Sequence, residues 1–241
     1  MNRISFRHRG YRVISYLEES PARRLTDAVV ENGVARRRVF RDNWRTLSAQ
    51  IEFDGNSLLL KVPRARNHRR WERLLSLVRG SDALRTFRHL EVASEMGFSV
   101  PVPVLAAEQR SCGGVVDSFL CYRFVSGRPA TEADAGKIIA TLRALHQRGY
   151  TRGDAQLANF LVVDDKVTLI DFRLKKPRFL PRLQKAREVD RFLRSCPEAR
   201  KSLSRDEINS LWLRLASQLE AASFGFRNLK RWIRKRRKKK H

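Results

Sequence analysis

The sequence predicts a two-lobed α+β protein in which most of the strands precede most of the helices. Between residues 38 and 124 the apolar residues fall in several short β-type runs, whereas from residue 131 onward they recur mainly at helical spacing. A segment rich in turn residues, Ser126-Gly127-Arg128-Pro129, separates the two patterns. Strands grouped before helices are typical of the α+β class, here with a small antiparallel sheet lobe and a larger, mostly helical lobe.

We divide the chain into four segments on this pattern. They are an N-terminal extension, a sheet lobe, a helical lobe and a polybasic tail, which span residues 1–36, 37–125, 126–226 and 227–241. The extension is weakly patterned and predicts only a short helix near residues 26–31. Ten of the last fifteen residues are Lys or Arg, and none is acidic, so the tail cannot pack against itself.

The sheet lobe carries the clearest strand signals. Runs at 38–40, 47–53 and 57–62 predict three strands, and Asp54-Gly55-Asn56 between the last two is typical of a tight hairpin turn. Helices are predicted over 68–79 and 82–96, followed by an extended run from residue 100 and a strand over 118–124.

The helical lobe is predicted to begin with a helix over residues 131–150. Thr131 and Asp134 have the spacing of an N-terminal capping box, and Gly149 is a C-terminal stop signal. Apolar residues at helical spacing predict one buried face, formed by Ile138, Ile139, Leu142 and Leu145.

The net charge restricts the kind of partner. The chain has 241 residues, with 51 Lys+Arg against 25 Asp+Glu, a formal charge of +26. A charge this large favours a polyanionic partner.

Three cysteines in a chain of this length argue against a disulfide scaffold and favour a reducing compartment. The first residues lack the apolar core of a secretory signal, and no apolar run approaches the roughly 18 residues that span a bilayer, so we expect a cytoplasmic protein.

Three polar residues follow the 131–150 helix in an order that predicts phosphate chemistry. Asp154 and Asn159 lie on the loop after the helix, and a predicted hairpin over 160–170 leads directly to Asp171. Carboxylate and amide oxygens, completed by substrate phosphates, are the ligands that Mg²⁺ prefers. Asp171 and Asn159 are therefore the candidate metal ligands, and Asp154 is left to meet a hydroxyl group.

A lysine in the sheet lobe completes the set. Lys61 lies inside an apolar strand, where a lysine is costly unless an anion pairs with it. Each residue alone has an ordinary structural explanation, such as an acid capping a turn or a lysine that reaches solvent at the rim of the sheet. The ordered set of Lys61, Asp154, Asn159 and Asp171 resembles the protein-kinase-like phosphotransferases.

The resemblance can be narrowed to one family. Four parts of the chain are similar to the lipopolysaccharide core heptose kinases, and most of all to the heptose(II) kinase type: the stretch 39–62, the basic helix around 71–73, the loop 153–160 and the segment 187–191. This similarity covers residues 34 to 200. It implies a bacterial enzyme at the inner face of the cytoplasmic membrane that moves the γ-phosphate of ATP to a heptose hydroxyl of the lipopolysaccharide inner core.

The resemblance also implies roles for individual residues. Lys61 would hold the α- and β-phosphates of ATP, Asn159 and Asp171 would bind Mg²⁺, and Asp154 would be the catalytic residue that accepts the hydroxyl proton. Asp190 is expected to tie the catalytic loop to a helix as a structural acid. We interpret His146 as a hydrogen-bonded core histidine.

The sequence departs from the kinase pattern at two places in the sheet lobe. No glycine lies between residues 34 and 54, so the glycine-rich phosphate loop is absent. Asn43 and Thr46, in the equivalent turn, are the candidates that contact phosphate instead. The glutamate partner of Lys61 is not obvious, and we choose Glu91 over its neighbour Glu95 and over Glu72 on the preceding helix.

The tail has three interpretations: two that give it a binding partner and one in which it is only solvated. Aromatic and apolar residues interleave with its cations, which suits a membrane surface or a single-stranded nucleic acid, while a solvated tail is the plain alternative. Because the implied substrate is anchored in a membrane, we expect anionic lipid and not nucleic acid. The predicted contacts are Lys230, Arg231, Trp232, Arg234, Lys235, Arg236 and Arg237.

Other functions remain as alternatives at this point. A small atypical kinase of a protein or tRNA complex would share the motifs and the basic tail. Aminoglycoside-type phosphotransferases share the catalytic loop but need an acidic pocket for a cationic drug. A pseudokinase-like module that binds nucleic acid or membrane would use the fold without catalysis, which the intact set of four polar residues argues against.

Overall fold

The computed structural model describes residues 2–64 and 80–223. The chain divides into two compact units, residues Met1–Gly127 and Arg128–His241. The division falls two residues beyond the boundary that the sequence predicts. No helix in the described part of the chain is long and apolar enough to cross a bilayer.

The first unit is a seven-stranded sheet in which all neighbouring strands run antiparallel. The strand order is β1-β2-β6-β7-β5-β4-β3. The strands are β1 (Ile4–His8), β2 (Tyr11–Ser15), β3 (Arg36–Asp42), β4 (Leu47–Phe53), β5 (Asn56–Val62), β6 (Pro103–Ser111) and β7 (Gly114–Arg123). Asp54 and Gly55 join β4 to β5 with φ values of 46° and 73°, as a tight two-residue hairpin turn requires.

Residues 1–36 are part of this unit and not a separate extension. Strands β1 and β2 form a hairpin, and β2 pairs with β6 inside the sheet. The helix α1 (Glu19–Val30) follows, seven residues earlier and twice as long as the predicted one. The sequence analysis missed these strands because each has only five residues, which is too short a run to establish a period of two.

Two helices cover opposite faces of the sheet. Helix α1 packs through Ala22 and Leu25 on the face formed by Val13, Leu60 and other apolar residues. Helix α2 (Asp82–Glu95) packs through Ala83, Leu84 and Phe87 on the face that carries Ile14, Ala106 and Leu120. The central strands β2, β6 and β7 therefore carry buried residues on both faces, whereas the edge strand β3 is exposed along its whole length.

The second unit combines a small sheet with helices. Its strands pair in the order β10-β9-β8 and are β8 (Arg128–Pro129), β9 (Phe160–Val163) and β10 (Lys166–Leu169). Its helices are α3 (Ala135–Gln147), α4 (Pro181–Ser195), α5 (Arg205–Asn209) and the helical residues 211–223. Helix α3 buries the predicted apolar face through Ile138, Ile139, Leu142 and Leu145.

The start of the second unit is fixed by a buried carboxylate. Asp134 forms the predicted capping box with Thr131 and also accepts two hydrogen bonds from Arg128, of 2.6 and 2.7 Å. These contacts, the Arg128 bonds above all, hold the pKa of Asp134 far below its usual range against the opposing effect of burial. The bidentate pair joins β8 to the helix that leads into the catalytic loop.

Candidate active site

The loop after α3 is anchored to the segment that follows Asp171. Thr151 and Lys175 form an antiparallel bridge, with N–H to carbonyl distances of 2.9 and 2.8 Å. The Arg173 N–H also donates to the Arg152 carbonyl at 3.1 Å. Because backbone bonds hold both segments together, they fix the chain just before Asp154 and just after Asp171.

Arg152 is fully buried beneath the loop. Its guanidinium donates to the carbonyls of Asn159 at 3.2 Å and Ile170 at 2.8 Å, and it lies 4.3 Å from the centre of the Phe160 ring. Burial lowers the pKa of Arg152 to about 10, against the opposing influence of Glu188, Asp154 and Asp171. At neutral pH the side chain therefore remains charged and joins the loop to the β9–β10 hairpin.

Glu188 on helix α4 holds the same loop from the other side. Its Oε1 accepts the backbone N–H groups of Arg152 at 2.8 Å and Gly153 at 2.7 Å, and its Oε2 is bonded to His146 Nε2 at 2.8 Å. One buried carboxylate thus connects α3, α4 and the residue before Asp154. His146 is a hydrogen-bonded core histidine, as predicted.

The three predicted polar residues of this unit come together. The Ile170 N–H donates to the Asn159 carbonyl at 3.2 Å, so Asp171 emerges beside Asn159. The Asn159 Nδ2 donates to the Asp154 carbonyl at 3.0 Å, which closes the loop between these two residues. Asp171 has a φ of 50°, a left-handed conformation that is uncommon outside glycine and that aspartate adopts more readily than most residues.

The Asp154 carboxylate is accessible to a substrate, and one arginine orients it. Its side chain is 47% exposed, and its Oδ1 accepts from Arg191 Nη1 at 3.2 Å. The same nitrogen donates to the Gly153 carbonyl at 3.3 Å. Arg191 therefore fixes the Asp154 side chain relative to the loop backbone.

In the first unit, Lys61 lies on the sheet face that α2 covers. It pairs across the strands with Leu120 of β7 and Ser48 of β4, and residues directly opposite each other point to the same face. Leu120 packs against α2, so Lys61 belongs to that face. The lysine is half-buried within an otherwise apolar strand, as the sequence indicates.

Glu91 does not stand as the partner of Lys61. Its Oε1 accepts from the Tyr16 hydroxyl at 2.7 Å, and Arg3 Nη1 lies 3.3 Å from its Oε2. Tyr16 directly follows β2, which is three strands from β5, a separation of about 14 Å at roughly 4.8 Å per strand. Burial, reinforced by Glu91, raises the pKa of Tyr16 to about 12.

The turn that replaces the glycine-rich loop joins β3 to β4. Asn43 Oδ1 accepts the backbone N–H groups of Arg45 at 2.9 Å and Thr46 at 3.0 Å, so this oxygen closes the turn itself. Of the Asn43 side chain, the Nδ2 group is left for a phosphate contact. Arg64 braces the turn through the Asn43 carbonyl at 3.3 Å.

The structural acid of the loop is Glu188 and not Asp190, so the prediction for Asp190 is wrong by two positions. Asp190 accepts from Arg194 Nε at 3.0 Å, within its own helix. Two residues along a helix are about 200° apart, so Glu188 and Asp190 point in different directions. An acidic pair in the sequence does not reveal which of its members faces the loop.

Arg152, Glu188 and Arg191 are the site residues that the sequence analysis missed. Arg152 directly precedes Gly153-Asp154, and kinase-like loops carry a basic residue just before the catalytic aspartate. This position in the motif is the sequence feature from which Arg152 could have been predicted. The predicted tail contacts and Glu72 lie outside the described residues.

Comparisons with known proteins identify the family of this chain. Residues 3–198 match the model of the lipopolysaccharide core biosynthesis protein (WaaY) family. The chain belongs to this family. The match confirms the family resemblance that the sequence indicates, and with it a kinase of lipopolysaccharide core biosynthesis. No curated protein matches the chain with significance.

Solved structures support the fold. WaaP in complex with acyl carrier protein matches with a TM-score of 0.54 and 16% identity, over 89% of this chain and 96% of that one. This likeness confirms the predicted fold class. The PknI kinase domain of Mycobacterium tuberculosis matches at a TM-score of 0.39 and 18% identity, over 77% of this chain and 84% of that one, which is too low to add to the argument.

We predict that Glu188→Ala destabilises the second unit far more than Asp190→Ala does. The first change leaves one buried and one partly buried N–H group without an acceptor, which costs about 3 kcal/mol. The second removes one bond from Arg194, which is partly exposed and also lies 3.7 Å from Glu220, so about 1 kcal/mol is expected. Urea unfolding of both variants measures the two losses, and equal losses would contradict the role given to Glu188.

Proposed function

We propose that this chain transfers the γ-phosphoryl group of ATP to a heptose hydroxyl of the lipopolysaccharide inner core. The observation that carries the proposal is the convergence of Asp154, Asn159 and Asp171 on one braced loop and hairpin, in a chain of the lipopolysaccharide core family. Phosphoryl transfer depends mostly on positioning and charge stabilisation, and a rigid loop with accessible carboxylates supplies both.

Asp154 is assigned the role of catalytic residue. Its partly exposed carboxylate can accept the proton of a heptose hydroxyl and align the oxygen for in-line attack on the γ-phosphorus. The new P–O bond forms to the sugar, the bond to the β-phosphate breaks, and ADP leaves. Arg191 keeps the carboxylate oriented through Oδ1, so Oδ2 is the oxygen assigned to the hydroxyl.

Asn159 and Asp171 are assigned to Mg²⁺, and their surroundings fit that role. The Asn159 amide donates its Nδ2 to the loop, so Oδ1 is the atom that it presents to a metal. The described residues contain no group of three or more His, Cys, Asp or Glu residues suited to a metal ion. In a kinase-type site, substrate phosphates complete the ligand set of the metal. When bound, Mg²⁺ would neutralise charge on the β- and γ-phosphates.

In the first unit, Lys61 is assigned to the α- and β-phosphates. Lys61 is half-buried on strand β5, and in protein kinases a lysine on a strand of the sheet lobe contacts these two phosphates. Asn43, through Nδ2, and Thr46 are the proposed phosphate contacts in the β3–β4 turn, in place of a glycine-rich loop. Glu91 is no longer included among the nucleotide-binding residues.

The family assignment favours this acceptor over the alternatives. A kinase of a protein or tRNA complex would share the loop, but the family model describes lipopolysaccharide core biosynthesis. A pseudokinase would not need to preserve the bracing of Asp154 by Arg191 and of Asn159 by the loop.

We further propose that the polybasic tail holds the enzyme on the anionic inner face of the cytoplasmic membrane, where a lipid-anchored sugar is presented at high effective concentration.

Asp154→Asn is expected to lower kcat by about 10²- to 10⁴-fold, because the amide cannot accept the hydroxyl proton. The affinity for ATP should stay within about threefold, since the Asn side chain keeps an oxygen for Arg191. Asp165→Asn, in the exposed β9–β10 turn, is the matched control and should leave kcat unchanged. Transfer of labelled γ-phosphate to core lipopolysaccharide measures both, and an Asp154→Asn enzyme with more than a tenth of normal activity would overturn the assignment.

Truncation after Gly225 tests the tail. We expect turnover on membrane-embedded lipopolysaccharide to fall at least tenfold, because each Lys or Arg near an anionic leaflet contributes about 1 kcal/mol to attachment. Turnover on a soluble, delipidated core fragment should be unchanged, which makes this substrate the control. If the truncated protein sediments with anionic vesicles as fully as the complete chain does, the membrane role of the tail is refuted.

A further inference from the structure

We propose that the loop before helix α4 is a second membrane-contact surface, which binds a bilayer that contains anionic phospholipid. The loop spans residues 176–182 and is called the Phe179 loop below. It goes beyond the proposed function, in which the polybasic tail is the membrane contact, and rests on that function for the presence of a lipid-anchored acceptor.

Two large apolar side chains lie exposed at the tip of this loop. Phe179 is 83% exposed, more than any other large apolar residue in the described part of the chain, and Leu180 beside it is 60% exposed. Single exposed apolar residues are ordinary on a protein surface, whereas contiguous ones mark sites of interaction. The tip of the loop is therefore a candidate for burial against a partner.

The backbone of the tip is ordered in this arrangement. Leu180 has a φ of 47° and a ψ of 57°, a left-handed conformation that is costly for a bulky residue. Gln184 on α4 holds the tip from behind, since its Nε2 donates to the Phe179 carbonyl at 2.7 Å and its N–H donates to the Leu180 carbonyl at 3.1 Å. Because the tip is already fixed, little conformational entropy is lost when it meets a surface.

The segment around the tip is strongly basic. Residues 172–187 contain seven Lys or Arg residues and no acid. Lys176, Arg178 and Arg182 are exposed, and none of them forms an ion pair with a carboxylate of the described residues. Each lies within three residues of Phe179, a span of at most about 11 Å, so its charge acts on any anionic surface that the tip touches.

This combination fits a bilayer better than a nucleic acid. The ring of Phe179 could stack on a base, but the Leu180 side chain has no ring, whereas both side chains can enter the apolar boundary of a bilayer. The surrounding Lys and Arg side chains can then reach lipid phosphates while their aliphatic stems lie along the apolar surface.

The Phe179 loop is connected to the catalytic loop by the bridge between Thr151 and Lys175. Thr151 is three residues before Asp154, and Lys175 is four residues before Phe179, a span of at most about 14 Å. Contact of the tip with a bilayer would therefore hold the second unit at the surface in which the proposed acceptor is anchored.

Binding to vesicles made of equal parts of phosphatidylcholine and phosphatidylglycerol tests this surface, with the full chain in every case. Phe179→Ala combined with Leu180→Asn removes the apolar tip but keeps the turn, since asparagine adopts the left-handed conformation readily, and should lower the partition coefficient at least tenfold. Lys176→Ala combined with Arg178→Ala should lower it about 20-fold at low salt and weaken its salt dependence.

Two further variants show whether the effect belongs to the tip. Phe179→Trp keeps an aromatic anchor and should bind the vesicles at least as tightly as the wild type. Leu211→Ala removes a leucine that is 65% exposed outside the loop, and its partition coefficient should stay within twofold of the wild-type value.

Two results would overturn the proposal. If the loop variants bind the vesicles as tightly as Leu211→Ala does, the Phe179 loop is not a membrane surface. If they keep vesicle binding but lose turnover on a soluble, delipidated core fragment, or lose binding to a single-stranded oligonucleotide, the loop serves a different partner. Vesicle binding is measured without catalysis, so a wild-type protein that binds as predicted but transfers no phosphate to core lipopolysaccharide would refute the proposed function alone.

Discussion

The site depends on one buried arginine held between a carboxylate-anchored loop and a hairpin. Arg152 has no exposed surface, and burial lowers its pKa to about 10 against the opposing influence of Glu188, Asp154 and Asp171, so the side chain is still charged at neutral pH. Its guanidinium joins the carbonyls of Asn159 and Ile170, and its backbone N–H is held by Glu188. A buried charge of this kind is costly to leave unpaired, so the loop, the hairpin and helix α4 are stabilised as one arrangement.

The backbones of the functional residues in the second unit are placed by this arrangement, and Arg191 additionally orients the Asp154 side chain. Asp154 follows the two residues whose N–H groups Glu188 accepts, and Asp171 follows the residue whose carbonyl Arg152 binds. Asn159 is held through both its carbonyl and its amide. The oxygens assigned to substrate and metal can therefore remain accessible, while the groups that fix their positions are buried or bonded to the backbone.

The sequence predicts the chemistry of the site better than its supporting contacts. Asp154, Asn159 and Asp171 are recognisable because their order along the loop and hairpin reflects local chain geometry, and Asp54-Gly55 marks its turn for the same reason. Glu188 could not be chosen over Asp190, because the direction of a helical side chain depends on how the helix packs. Glu91 was misassigned because its partners Tyr16 and Arg3 come from the N-terminal segment, whose two five-residue strands the sequence analysis did not recognise as part of the sheet. The contacts of Glu188, Asp190 and Glu91 depend on how elements far apart in the sequence pack together. This packing cannot be derived from the pattern of a single sequence.

The most direct test of the central claim is to locate the phosphate after reaction. The full chain would be incubated with Mg²⁺, ATP labelled at the γ-phosphate and dephosphorylated core lipopolysaccharide, and the product analysed by mass spectrometry and phosphorus NMR. The account predicts one new phosphate monoester on a heptose of the inner core, formed together with an equal amount of ADP. Label found on protein or RNA, with none on the sugar, would contradict it.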